Sequence, residues 1–175
     1  MKKVFALLVS LALVLAMGSA LAEAVEINWS DFEAQVAEAG WVGDFVEIPG
    51  MSAKIYMPSV LLPVELTDED IENGYIGYYA TEDGSAAVAL VYVDVDGMEL
   101  SEYKEALPEY GASDIEDVII NGISAIDYKI ADNDSVSLSM ATQAGAILEI
   151  TFAPMSDEAF AAVATVMMAS VQSAE

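Results

Sequence analysis

The chain has 175 residues, 55% of them apolar and 20% charged, with 30 Asp and Glu against 5 Lys and Arg, for a formal net charge of minus 25. That length suits one ordinary domain, and the high hydrophobicity excludes a disordered chain, because disorder couples high charge to few apolar residues. Cys, His and Arg are all missing from the sequence, which removes thiol and imidazole nucleophiles, His general bases, the usual zinc and copper ligands, and guanidinium clamps for phosphate.

Residues 1–22 combine Lys2 and Lys3, an apolar stretch from Val4 to Met17, and small residues at Ala20 and Ala22. This is the pattern of a secretory signal peptide cleaved between Ala22 and Glu23. Its apolar core of about 14 residues is short for a bilayer span, which needs about 20. No Cys stands at the cleavage point, so the expected product is soluble and extracytoplasmic rather than a lipoprotein. Removing 22 of the 175 residues also removes both signal lysines, leaving 30 acids against Lys54, Lys104 and Lys129, a net charge of minus 27. Such a surface repels nucleic acid and anionic lipid and attracts cations or basic proteins. Residues 23–28 read as a short leader and residues 29–175 as a single domain.

Within that domain, Ser30 opens an S-D-F-E capping box, with Phe32, Val36 and Ala39 at helical spacing and Gly40 as the stop. "WVGDFVEIPG" and "AKIYMP" read as short strands, and Thr67 caps a short acidic helix that Gly74 closes. "YIGYYATEDG" and "SAAVALVYVDVDG" form a hairpin about Glu82-Asp83-Gly84. In the second strand Val88, Leu90 and Tyr92 alternate with Ala89, Val91 and Val93, so both faces are apolar and both call for cover. An amphipathic helix follows, with Leu100, Tyr103 and Leu107 on one face and Pro108 at its end. The rest reads as an antiparallel meander, with a two-residue Asn121-Gly122 turn and a second turn at Asp132-Asn133-Asp134. In "SVSLSM" the alternation places Val136, Leu138 and Met140 in the core and Ser135, Ser137 and Ser139 in water, as in a strand near an edge. Pro154 ends the last strand, and Ser156-Asp157-Glu158 caps a helix carrying Phe160, Val163, Met167 and Val171. The apolar run from Ala159 to Val171 suits a buried helix better than a membrane span.

The pattern Asn121-Gly122-x-x-Ala125-x-x-Tyr128, the Phe152-x-Pro154 strand end and a last helix ending at Ser170 resemble the PsbP/Mog-type α/β/α sandwich over roughly residues 42–172. The resemblance implies an α+β fold, with an antiparallel sheet of about six strands between helices. Members of that fold include photosystem accessory proteins, a nuclear-transport cofactor and exported proteins, and act mainly as binding or assembly modules. No catalytic motif of the better-known branches matches this chain.

Oxygen ligands alone leave calcium or magnesium as the plausible ions. The candidates are Asp94, Asp96 and Glu99 in "DVDGME", and Asp68, Asp70 and Glu72 in "DEDIEN"; neither completes an EF-hand, and turn geometry and helix N-terminal charge explain both sets. No other cofactor is expected. Ser101 and Lys104 match the S-x-x-K spacing of penicillin-binding enzymes, without that family's companion motifs. Asp114 and Asp117 offer an acid pair for glycoside hydrolysis. Tyr75, Gly77 and Tyr79 are placed on one strand face, and Trp29 and Trp41 flank the first helix; packing accounts for both sets. Asn28 and Asn133 head glycosylation sequons, relevant only in a eukaryotic secretory pathway. The residues together point to an exported acidic accessory or binding protein with no catalytic activity, whose partner is a protein or envelope component, cationic in character. The alternative is a calcium-dependent or carboxylate-based hydrolase acting on envelope polymers.

Overall fold

A computed structural model describes residues 24–95 and 97–174. The expected signal segment with its expected cleavage position at Ala22 and Glu23, and the calcium candidate Asp96, lie outside the described residues.

The chain runs β1 (Val25–Ile27), α1 (Glu33–Ala39), β2 (Gly43–Glu47), β3 (Ala53–Pro58), β4 (Leu62–Pro63), α2 (Asp68–Glu72), β5 (Tyr75–Ala80) and β6 (Ala87–Val93). It continues through α3 (Leu100–Ala106), β7 (Ala112–Ile120), β8 (Ile123–Ile130), β9 (Ser135–Ala141), β10 (Ile147–Ala153), α4 (Glu158–Ser170) and β11 (Gln172–Ser173). The main sheet has eight strands in the order β1-β7-β8-β9-β10-β6-β5-β4, and a separate three-stranded sheet has the order β11-β3-β2. The expectation of about six strands is therefore corrected. The added edges are β1, three residues paired in parallel with β7, and β4, two residues paired with β5. Segments that short leave no readable periodicity. Residues 25–27, read from sequence as leader, thus supply an edge strand whose Ile27 is buried.

One face of the main sheet presents Val88, Leu90, Val118, Leu138 and Ile150 to a core shared with Phe160, Ala164 and Met167 of α4, Val36 of α1 and Ile55 of the small sheet. On the opposite face, Leu100, Tyr103 and Leu107 pack on Ile126 and Tyr128 of β8. Cover on that second face centres on β8. Ala89, Val91 and Val93 of β6 therefore remain only half-buried, where sequence alternation called for cover on both sides.

Three local expectations change. The S-D-F-E box does not form: Trp29–Asp31 make a 3-10 turn and α1 starts after Phe32, with no side-chain cap. Strand β9 lies between β8 and β10 rather than near an edge, and Ser135, Ser137 and Ser139 are buried. Ser137 is satisfied by Thr151 at 2.8 Å, and Ser139 donates to the Tyr128 hydroxyl at 3.4 Å. Third, a register shift between Tyr75 and Gly77 places Tyr75 opposite Val91 but Gly77 and Tyr79 opposite Leu90 and Val88. Tyr75 consequently shares a face with Tyr78, not with Gly77 and Tyr79.

Other signals hold. Thr67 and Asp70 form a reciprocal capping box on α2. Asp157 caps α4 by accepting from Ala159 and Phe160 amides at 2.9 and 3.0 Å. Asn121 and Gly122 turn with φ of 48° and 83°, the left-handed geometry of a tight hairpin. Gly74, at φ 87°, also meets a steric demand, since a Cβ there would lie 2.4 Å from the Tyr92 carbonyl oxygen. Among the described residues no helix is long and apolar enough to cross a membrane.

Candidate binding cavity beneath helix α3

Helix α3 begins after Glu99, whose amide donates to Glu102 at 3.0 Å, and the chain continues past Ala106 as a 3-10 turn over Leu107–Tyr110. This arm lies against the sheet and leaves a half-open cavity of about 510 Å³. Its walls include Val93, Val95, Met98, Leu107 and Ile130, and its polar side is formed by Asp94, Tyr103, Tyr128 and Glu149.

Glu149 is the centre of the polar side. Tyr103 of α3 donates to Glu149 Oε2 at 2.9 Å, and the Tyr128 hydroxyl donates to the same oxygen. Thr151 donates to Oε1 at 3.0 Å. The carboxylate is thus held by three hydroxyls from three secondary-structure elements. Burial, and next the adjacent Glu149 carboxylate, push the Tyr103 phenol up to about 12 and raise that of Tyr128 as well. Both phenols remain neutral donors throughout the physiological range.

The lysines of the domain are engaged elsewhere. Lys104 pairs with Asp117 at 2.6 Å, Lys129 pairs with Asp114 at 2.9 Å, and Lys54 lies 5.3 Å from the centre of the Phe45 ring. The S-x-x-K lysine is therefore committed to Asp117, and Asp114 and Asp117 each hold a different lysine. Of the calcium candidates, Asp70 is occupied by its Thr67 cap, which holds its carboxyl below the usual range. Asp68 and Glu72 lie on the same short helix, Glu99 caps α3, and Asp94 lines the cavity. Among the described residues no three acids are gathered to hold a metal ion.

Tyr103, expected on the apolar face of its helix, and Tyr128, noted only as part of the Asn121 hairpin pattern, are thus brought together, and Glu149 was not singled out at all. Its available signal was a lone acid in the middle of the apolar run "AILEITF". Trp29 packs on Phe45 and Tyr56, each with ring centroids 5.6 Å away, as expected of core aromatics.

No protein-family model matches the chain, and no curated protein sequence matches it. Among solved structures, the solution structure of cyanobacterial PsbP (CyanoP) from Synechocystis sp. PCC 6803 is similar to it, with a TM-score of 0.52 at 7% identity. The match covers 74% of this chain and 91% of that one. At this identity the likeness concerns the fold, which is PsbP-like, as the Asn121 hairpin pattern implies.

Proposed function

We propose that this protein is an exported acidic accessory module that works by binding, without catalysing a reaction, and that the cavity beneath α3 is its binding site. The observation that carries the reading is Glu149 on the polar side of an apolar-walled cavity, held by three hydroxyls. Proton-transfer catalysis favours a group that titrates near the working pH. Tyr103 and Tyr128 are shifted away from that range and are fixed as donors, so the constellation is a rigid recognition surface. A half-open cavity with apolar walls and a few convergent polar groups is the usual form of a ligand site. The PsbP-like fold agrees with a binding or assembly role, although a fold alone does not assign one. The partner is a protein or envelope component, and the charge of minus 27 that remains without residues 1–22 favours one of cationic character.

Thermal melting of the purified domain with calcium, magnesium and a panel of sugars tests this against a calcium-dependent or carboxylate-based hydrolase of envelope polymers. Melting points unchanged by all of these agree with the module. A rise of several degrees with calcium or a sugar contradicts it.

A further inference from the structure

We infer that the cavity beneath α3 takes an alkylammonium group, an aliphatic body ending in a primary amine. This inference deepens the binding reading above and rests on it.

Among the described residues, the acids that line the cavity are Asp94 and Glu149, and no lysine lines it. The three lysines of the domain are held by Asp117, Asp114 and the Phe45 ring. Among the described residues Glu149 is offered neutral hydroxyl donors and no cation, and a ligand can supply the countercharge.

A carboxylate has about four acceptor sites, two on each oxygen. Oε2 already accepts from both Tyr103 and Tyr128, whereas Oε1 accepts from Thr151 alone. One site remains, on one oxygen. A guanidinium binds a carboxylate best as a fork across both oxygens, which the filled Oε2 denies it; an ammonium, a compact donor, needs only one. Val93, Val95, Met98, Leu107 and Ile130 surround space for an aliphatic chain, and about 510 Å³ falls within the range of small-ligand sites.

The test is a titration of the purified domain followed by amide NMR at about 0.15 M salt, where long-range attraction to the acidic surface is screened. The probes are hexylamine, 1-hexanol, ethylamine and N-acetyl-lysine methylamide. Hexylamine is expected to saturate, with shifts centred on Met98, Ala106 and Tyr110, and to bind about tenfold or more tightly than 1-hexanol or ethylamine. N-acetyl-lysine methylamide separates a partner's lysine side chain from a free amine, the tighter of the two naming the source. Glu149→Gln is expected to remove the tenfold preference while keeping 1-hexanol binding, and Ala106→Phe, which fills the cavity, to abolish both. Equal affinity for hexylamine and 1-hexanol overturns the ammonium inference and leaves the binding site standing. Equal affinity for ethylamine and hexylamine marks mere surface attraction and overturns it too. Failure of every probe to shift the cavity residues overturns the ammonium inference, and crosslinking at the cavity margin then decides the binding reading by itself. The wild-type comparison decides the matter alone where Glu149→Gln does not fold.

Discussion

The Tyr128 hydroxyl donates to Glu149 Oε2 across the intervening strand β9, from which Ser139 donates in turn to Tyr128 at 3.4 Å. This tie spans three strands, and Tyr103 adds α3 to it at 2.9 Å. Chains of buried hydrogen bonds strengthen one another and fix a single arrangement. The helix that forms the cavity roof is therefore anchored to the sheet through the same carboxylate that forms its polar side.

Ultraviolet titration of the tyrosines checks this network. Of the 8 tyrosines, Tyr103 is expected to titrate at about 12 and Tyr128 also well above the ordinary value of 10.0. Their folded-state values are raised, so the folded form retains its protons while the unfolded chain loses them as pH climbs from 10 toward 12. Stability from this source is complete below pH 10 and declines above it. Tyr103→Phe should remove part of that alkaline decline; an unchanged decline argues against the network.

Asn121 joins three distant parts of the fold. Its Oδ1 accepts from the Trp29 amide at 2.6 Å, and its Nδ2 donates to the Ala169 and Val171 carbonyls at 2.9 and 2.7 Å. Asn121→Gly keeps the left-handed turn but leaves these groups without a side-chain partner, and is expected to cost about 2–3 kcal/mol in urea unfolding. Asn121→Ala should cost more, because φ at this position is 48°. A glycine variant within about 0.5 kcal/mol of wild type would show that the bonds contribute little.

Asp127 is a local strain on stability. Burial, then the neighbouring Glu116 charge, push its carboxyl up to about 6, and its Oδ1 is buried with no hydrogen-bond partner among the described residues. A raised folded-state value for an acid means that this site costs stability as pH rises from the unfolded 3.8 through 6. Asp127→Asn should therefore stabilise the domain at pH 7, by about 3 kcal/mol at most, and the gain should shrink toward pH 4. A gain that is the same at both pH values would assign the effect to packing and not to ionisation.

Much of the layered pattern is legible in the sequence because it depends on local chemistry. The Asn121-Gly122 turn, the Thr67 and Asp157 caps and the apolar face of α3 are each set by residues a few positions apart. What escapes is non-local. Edge strand β1 exists only through its pairing with β7, about 90 residues away. Ser137 and Ser139 of β9 look like a wet face because their partners, Thr151 and Tyr128, come from other strands. The bulge after Tyr75 reverses the face of half a strand with no Pro or charge to announce it. Glu149 is missed for the same reason: its three donors lie at positions 103, 128 and 151, and only the fold gathers them.

The most direct test of the binding claim is photo-crosslinking in the producing cell, with a photoreactive residue placed at Tyr110 on the cavity margin and, as a control, at exposed Asp132 on the turn after β8. Adducts are resolved by intact mass, so that a small ligand and a protein partner are both seen. A discrete adduct at position 110, missing at 132 and lost when Ala106→Phe fills the cavity, is the outcome that follows from a binding site beneath α3. Equal labelling at both positions, or labelling at 110 that survives Ala106→Phe, would contradict it.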